Sequence, residues 1–239
     1  MYTEFAHHCQ LINPREDYAD EAPQWTAALR KHLGPGRHEI LELGAGGGNQ
    51  LWYWAKEFKA TAVDLSPAMI EQARKLCPDV EFHLGDMRTV RLARRFKAVL
   101  IADAVDYLTS EEDLRATFAT TAAHLEPGGV FITCPDYYRE TFAGPIASCG
   151  TNSAGTVHFT NMEYIYDPDP ADTTIDVLNW YLLNEDGRLR IEQDRHVYGL
   201  FPQQTWLHLM NQAGFAVEKV PFRLSGGARE MYLLVGVLR

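Results

Sequence analysis

Two carboxylates bracket a run of glycines near the start of this chain. "ELGAGGGN" holds Glu42 two residues before Gly44, followed by Gly46, Gly47 and Gly48, and "AVDLS" brings Asp64 about 20 residues after Gly44. Glycine allows the backbone to approach a ligand closely, and a carboxylate accepts two hydrogen bonds from a vicinal diol, so the set suits a nucleoside-containing cofactor. A second candidate set lies far along the chain in "EQDRHVYGLF", where Glu192, Asp194 and His196 alternate and share one face of a strand. On a face covering a cofactor, His196 would act as a general base with an acid to orient it; the other reading is a solvated polar face. His7-His8-Cys9 is the one local cluster of metal-ligand types, but adjacent side chains near a terminus rarely converge on one ion, and no metal is expected.

The glycine turn separates the cofactor classes. A nicotinamide or flavin dinucleotide calls for G-x-G-x-x-G, and the third glycine position here is Asn49. A phosphate-binding P-loop needs Gly-Lys-Ser/Thr, which does not follow. The remaining pattern is E-x-G-x-G-x-G with an acid one β-α-β unit later. Each member also has a plainer use: Gly47 as a tight turn, Gly48 as a helix-packing position, Asp64 as a helix-start acid ahead of Ser66.

The elements that must position these groups alternate short β-rich runs with helical periods, the signature of parallel β-α-β units. "EILELG", "KATAVDLS", "VEFHLGD", "RFKAVLIAD" and "GGVFITCP" read as five strands. "GNQLWYWAKEF", "PAMIEQARKLC" and "TSEEDLRATFATTAAHLEPGG" read as intervening helices, with Ser66 and Ser110 as N-caps and Pro127-Gly128-Gly129 as the stop of the third. From about Asp136 to Gly199 the period changes: "GTVHFTNMEYIYD", "DTTIDVLNWYLLN" and "LRIEQDRHVYGLF" alternate as half-buried antiparallel strands, and "NEDG" supplies a hairpin turn. "PQQTWLHLMNQAGF" returns to helix, and "AVEKVPF" and "EMYLLVGVL" close the chain as two strands.

These residues together resemble the class I S-adenosylmethionine-dependent methyltransferases. The resemblance implies an α/β fold, a Rossmann-like doubly wound, mostly parallel seven-stranded sheet with an antiparallel β insertion after the fifth strand. It implies S-adenosyl-L-methionine as cofactor and S-adenosyl-L-homocysteine as product. Glu42 would lie near the amino-acid end of that cofactor, Gly44, Ala45 and Gly46 along its methionine and ribose portions, and Asp64 with Leu65 at the ribose. Asp86 and Met87 of "GDM" would reach the adenine, and Ala102 and Asp103 would flank the cofactor after the fourth strand. The phrases "DYADEA", "VDLSPAMIEQAR", "GDMRTVRLARRFKAV" and "DYL", with the antiparallel insertion after them, look like the sugar N,N-dimethyltransferase branch, in which Tyr18 would touch the cofactor. The chain departs from the branch at "ADAVDYL", where small or uncharged residues are usual.

On this reading residues 1–38 form a helical segment closing over the cofactor and 39–135 the cofactor-binding core. Residues 136–200 form an insertion for the acceptor and for dimer contact, and 201–239 complete the core. Methyl transfer to nitrogen or oxygen needs alignment and exclusion of water; His196, Asp103 and Asp106 are the candidates to take a proton from the acceptor. Tyr137, Tyr138, Phe142, Trp180 and Tyr181 would either wall a pocket or serve as core and dimer contacts. A net charge of −10 repels phosphate backbones and anionic lipid, which points to a small-molecule acceptor rather than nucleic acid or membrane; that this is an amino sugar is what the resemblance implies. No apolar run approaches the roughly 20 residues that span a bilayer, and four scattered cysteines form no C-x-x-C pair, so a cytoplasmic protein with reduced thiols is expected. Exposed β insertions often pair between subunits and the resemblance implies the same, so a homodimer is expected. Two competitors remain: a non-catalytic S-adenosylmethionine-binding protein, and a nicotinamide-dependent oxidoreductase, against which Asn49 argues.

Overall fold

The computed structural model of the chain describes residues 5–224 and 231–239. Its main sheet is built from β1 (Glu39–Leu43), β2 (Lys59–Asp64), β3 (Glu81–Leu84), β4 (Phe96–Ile101), β5 (Leu125–Thr133), β10 (Phe215–Phe222) and β11 (Met231–Leu238), in the order β10-β11-β5-β4-β1-β2-β3. β11 runs antiparallel to both its neighbours, while β1 to β5 pair in parallel. Strand order reverses between β1 and β4, and such a switch point opens a crevice at the carboxyl ends of the strands. Both glycine turn and Asp103 stand there.

Period-two alternation sends successive strand residues to opposite faces. Ile40, Ala62, Leu100 and Ile132 pack with Trp25, Leu29, Trp54 and Ile70 from α2 (Ala22–Leu33), α3 (Leu51–Glu57) and α4 (Pro67–Leu76). Leu41, Val63, Val99 and Phe131 pack with Leu114, Phe118, Trp206 and Met210 from α5 (Glu111–Ala123) and α6 (Gln203–Gln212). The predicted caps form: Ser66 Oγ accepts from the Met69 amide at 3.3 Å and Ser110 Oγ from that of Asp113 at 3.1 Å. No described helix is long and apolar enough to cross a membrane.

Two boundaries differ from the sequence reading. α5 ends at Ala123, before Pro127-Gly128-Gly129, which belong to the start of β5. Buried His124 closes the helix: its Nδ1 lies 2.8 Å from the Thr120 carbonyl, and its Nε2 accepts from the Leu92 amide at 2.9 Å. α3 begins at Leu51, because the turn continues through Gly48 (φ 81°) to Gln50.

The insertion is a separate four-stranded antiparallel sheet, β6 (Ile146–Ala154), β7 (Val157–Tyr166), β8 (Thr174–Glu185) and β9 (Arg188–Gly199), in chain order. Sequence patterning missed β6: its small, exposed residues carry no apolar alternation, and it is held as an edge strand by pairing from Ile146↔Ile165 to Ala154↔Val157. The β8–β9 turn is the expected one, with Asp186 and Gly187 both at positive φ, 50° and 81°. The inner face of this sheet rests partly on the N-terminal segment: Phe5 and Ile12 pack with Phe159, Tyr181 and Leu183. That segment, including α1 (Cys9–Ile12), thus spans from the insertion to the glycine turn.

Candidate active site

The turn after β1 is fixed by its own backbone. The amides of Gly44 and Ala45 donate to the Val63 carbonyl at 2.8 and 3.1 Å, and that of Gly46 donates to Asp64 Oδ2 at 2.7 Å. Asp64 Oδ1 accepts from the Ser66 amide at 2.8 Å, so this carboxylate is held by β2's own exit turn. Burial raises its pKa, and the amides of Ser66, Gly46 and Leu65 oppose the rise. Gly44 sits at φ 79°, where a Cβ would also overlap Ala104 from the turn after β4. Gly46 sits at φ 52° with Met69 beneath it. The other two glycines serve packing: a Cβ on Gly47 would lie 2.8 Å from Cys9 Sγ, and one on Gly48 3.2 Å from Ala73 of α4. Asn49, which spoils the dinucleotide pattern, donates through Nδ2 to the Asn13 carbonyl at 2.6 Å and ties the N-terminal segment over the turn.

A cleft opens beside this turn, lined by Tyr18, Glu21, Trp25, Asp103, Cys134 and Asp136 among others. Asp103 has an open edge toward the cleft and protein on its other sides; burial and then Asp136 push its pKa up to about 6, and the Tyr18 hydroxyl, donating to Oδ2 at 3.2 Å, opposes the rise. Glu42 is 2% exposed and its Oε2 has no hydrogen-bond partner; burial, then Asp103 and Asp64, push it up to about 8. Glu21 is likewise pushed to about 8 by burial, then by Asp103. It accepts from Gln50 Nε2 at 2.6 Å. Trp25 lines the same cleft with its indole N–H unpartnered. A buried acceptor without a donor and a buried donor without an acceptor both carry a desolvation penalty, and a ligand bearing an ammonium and a carboxylate would relieve both.

The structure gathers Tyr18, Glu42, Gly44, Ala45, Gly46, Asp64, Ala102 and Asp103 around the switch point. Leu65 follows Asp64 with its side chain 67% exposed, an apolar surface open to a flat ring. Asp86 is oriented by Arg88, which forks onto both its oxygens at 2.7–3.1 Å and onto Asp113 at 2.7 Å and holds the Asp86 carboxyl below its usual range. Met87 packs against the α5 side of the core. Asp106 is 3% exposed and its Oδ1 accepts from the Asp136 amide at 3.2 Å, linking the turn after β4 to the end of β5.

His196 belongs to a second cluster. Its Nδ1 lies 3.0 Å from the Tyr107 hydroxyl and its Nε2 3.3 Å from Asp194 Oδ2. The Tyr107 hydroxyl is also 3.4 Å from that of Tyr198. Burial lowers the His196 pKa, and Asp194 opposes the change, so the ring is neutral near pH 7 and able to accept a proton. Tyr107 ends the 3-10 turn Asp103–Tyr107, so one short element carries an acid of the cleft at its start and a partner of His196 at its end. On the same inner face Asn161 has a buried Oδ1 without a partner, Asn179 is buried, and Glu163 has its carboxyl raised by burial.

Sequence reasoning missed Glu21, Trp25, Gln50, Tyr107 and Asp136. Glu21 lies three residues after Tyr18 in "DYADEA", and Tyr107 is the tyrosine of "DYL"; both phrases were visible, but only the fold turns those side chains to a cleft. Of the aromatics singled out, Tyr138 is core, Tyr137 and Phe142 pack against Ile165 and Val177, Tyr181 packs on Phe5, and Trp180 lies on the outer face of the insertion.

Residues 40–129 match a family model described as "Methyltransferase domain". The chain is 34% identical to the dTDP-3-amino-3,4,6-trideoxy-alpha-D-glucopyranose N,N-dimethyltransferase of Streptomyces venezuelae, over 93% of this chain and 92% of the relative. It is 30% identical to the dTDP-3-amino-3,6-dideoxy-alpha-D-glucopyranose N,N-dimethyltransferase of Streptomyces fradiae, over 88% and 82%. The crystal structure of DesVI from Streptomyces venezuelae superposes with a TM-score of 0.83 at 31% identity, covering 93% of this chain and 92% of that one.

Proposed function

We propose that this chain, which belongs to the class I S-adenosylmethionine-dependent methyltransferases in the sugar N,N-dimethyltransferase branch, methylates the amine of a small nucleotide-linked amino sugar. S-adenosylmethionine is the methyl donor and S-adenosylhomocysteine the product, as in structural relatives that hold one or the other. When bound, the donor supplies an electrophilic methyl group on a sulfonium. The protein's work is to hold that group in line with the acceptor nitrogen and keep water away.

Two buried atoms without partners, Glu42 Oε2 at the end of β1 and the Trp25 N–H in the cleft, carry the reading of the donor site. Glu42 would take the ammonium and Trp25 the carboxylate of the methionine end. Gly44, Ala45 and Gly46 would lie along the chain of the donor, Asp64 with Leu65 at the ribose, Tyr18, Ala102 and Asp103 at the flank. Asp86 and Met87 remain assigned to the adenine, with Asp86 reaching it from its fork with Arg88.

The acceptor is assigned to the inner face of the insertion, between Asn161, Glu163, Asn179 and the Tyr107–His196–Asp194 chain. An alkyl amine with a pKa of about 10.4 is protonated at neutral pH and must shed a proton before it can attack. Tyr107, relaying to neutral His196 with Asp194 to orient it, is the route the geometry supports best; Asp103, on the donor side, is the other acceptor of protons. Asp106, tied to the Asp136 amide, serves to position the turn. Incubation with S-adenosylmethionine and a panel of nucleotide-linked 3-amino and 4-amino sugars should yield mono- and dimethylated products by mass spectrometry. Transfer to hydroxyl acceptors alone would refute the amine assignment.

A homodimer completes the proposal. The outer face of the insertion sheet carries Met162, Tyr164, Leu189 and Ile191, all exposed, beside half-buried Leu178, Trp180 and Leu182. Met162 faces Trp180, Tyr164 faces Leu178 and Leu182 faces Ile191 across the strands, so the patch is continuous. A contiguous apolar face of this kind marks an association surface, and a two-fold pair of identical sheets covers it. A light-scattering mass of one chain would refute the dimer. A cytoplasmic location belongs to the same reading.

A further inference from the structure

The turn after β3 is anchored by its backbone. Gly85 donates its amide to the Asp64 carbonyl at 3.0 Å, and a Cβ on it would lie 2.8 Å from Val90 and 3.3 Å from Val63, so the turn lies close on the end of β2. The Asp86 carbonyl then accepts from the amides of Thr89 and Val90 at 3.0 and 2.8 Å. These bonds place Asp86 but leave its side chain free to turn.

Arg88 removes that freedom. Its amide donates to Asp86 Oδ1 at 2.9 Å, its Nη2 to Oδ2 at 2.7 Å, and its Nε is shared between the two oxygens at 3.0 and 3.1 Å. The guanidinium is held in turn by α5: Nη1 donates to Asp113 Oδ1 at 2.7 Å, and Asp113 Oδ2 accepts from the Ser110 hydroxyl at 2.8 Å. Thr120 Oγ1 donates to the Arg88 carbonyl at 2.6 Å, so the arginine is fixed at both backbone and head. As a staple between turn and helix, the Asp113 and Thr120 bonds suffice; the fork onto Asp86 adds little stability, because partly exposed ion pairs are worth little.

What the fork does is fix an acceptor. An ionised carboxylate accepts only, through about four lone-pair sites, and the N–H groups of Arg88 fill all but one of them. A carboxylate held so takes an incoming N–H in one direction and repels a carbonyl oxygen there. We propose that Arg88 is a positioning residue of the donor site, acting through Asp86 to select the 6-amino group of adenine over a 6-carbonyl. The inference rests on the assignment of Asp86 to the adenine and adds the residue that makes this contact discriminating. Lysine does not replace it, since an ammonium is a point charge without the planar fork.

Calorimetry with S-adenosylhomocysteine and S-inosylhomocysteine, which differ at position 6 of the purine, reads the effect as a ratio of affinities. The wild type should favour the adenosyl ligand at least about tenfold, the range for a hydrogen bond to a charged group. In Arg88→Ala and in Arg88→Lys the ratio should fall below about threefold, through weaker binding of the adenosyl ligand while inosyl affinity moves less than about twofold. Arg88→Lys keeps a charge between Asp86 and Asp113 and carries the test alone if the truncation does not fold. A staple for the fold would weaken both ligands alike, so equal weakening, or an unchanged ratio in either variant, would overturn the inference. A wild type that binds both ligands equally would fail at the adenine assignment, and one that binds neither would fail at the donor site, each before any variant is made.

Discussion

The proposed donor and acceptor sides of this site are built in different ways. On the donor side, backbone does most of the holding: amides of Gly44, Ala45 and Gly46 are pinned to Val63 and Asp64, and positive φ angles admit only glycine without strain. On the acceptor side, the work falls to side chains on antiparallel strands, Asn161, Glu163, Asn179 and His196, linked to the core through Tyr107. A backbone cradle tolerates little change in sequence, whereas alternating strand positions can exchange side chains without disturbing the sheet. On the proposed assignment the donor site is therefore the fixed part of the machine and the insertion the adjustable part.

If that contrast is right, the donor cradle should break most completely. Gly44→Ala places a side chain at φ 79° and against Ala104, and should abolish measurable donor binding while costing about 3 kcal/mol of stability in denaturant titrations. Retention of donor affinity would mean that the backbone there is not the cradle.

On the acceptor side, His196→Asn should lower kcat about a hundredfold with the donor KM unchanged, the usual range for losing a proton acceptor. Tyr107→Phe should do the same. Because burial lowers the pKa of His196 below its ordinary 6.5, wild-type kcat should fall only in acid below that value, and the fall should vanish in His196→Asn. Equal losses in kcat and donor binding would instead make the cluster a structural link between the turn and β9.

Glu42 sharpens the comparison through stability. Its pKa rises from 4.5 in the unfolded chain to about 8 in the ligand-free fold, so the folded state binds the extra proton. Stability should fall as pH climbs from 4.5 to 8, and Glu42→Gln should flatten that fall by about 2 kcal/mol when unfolding is followed at several pH values. Added S-adenosylmethionine should flatten it too.

The smallest effect belongs to the strap between the two sides. Asn49→Ala removes the bond to Asn13 and should cost about 1 kcal/mol, with faster amide exchange in residues 9–13 and little change in the sheet.

The same contrast explains what the sequence revealed. The succession of strands and helices in the core, the glycine turn, Asp64 and both serine caps were legible because they rest on local geometry and fixed spacing. Glu21 and Tyr107 were not, since a lone acid on a helix start and a lone tyrosine in a turn acquire meaning only when distant elements close around them. Asp86 lies between: its place in "GDM" is local and was read, while the ion pair that Arg88, two residues on, makes with it was not. β6 escaped because edge strands are held by their partners, and its small polar residues carry no period of their own.

A structure of the protein with S-adenosylhomocysteine and a nucleotide-linked amino sugar tests the division of labour most directly. The account predicts the thioether ligand between the Gly44 turn, Glu42 and Asp103, with the sugar amine under the inner face of the insertion within hydrogen-bond reach of Tyr107. A sugar seated on the outer face of that sheet, or an amine turned away from Tyr107 and His196, would contradict it.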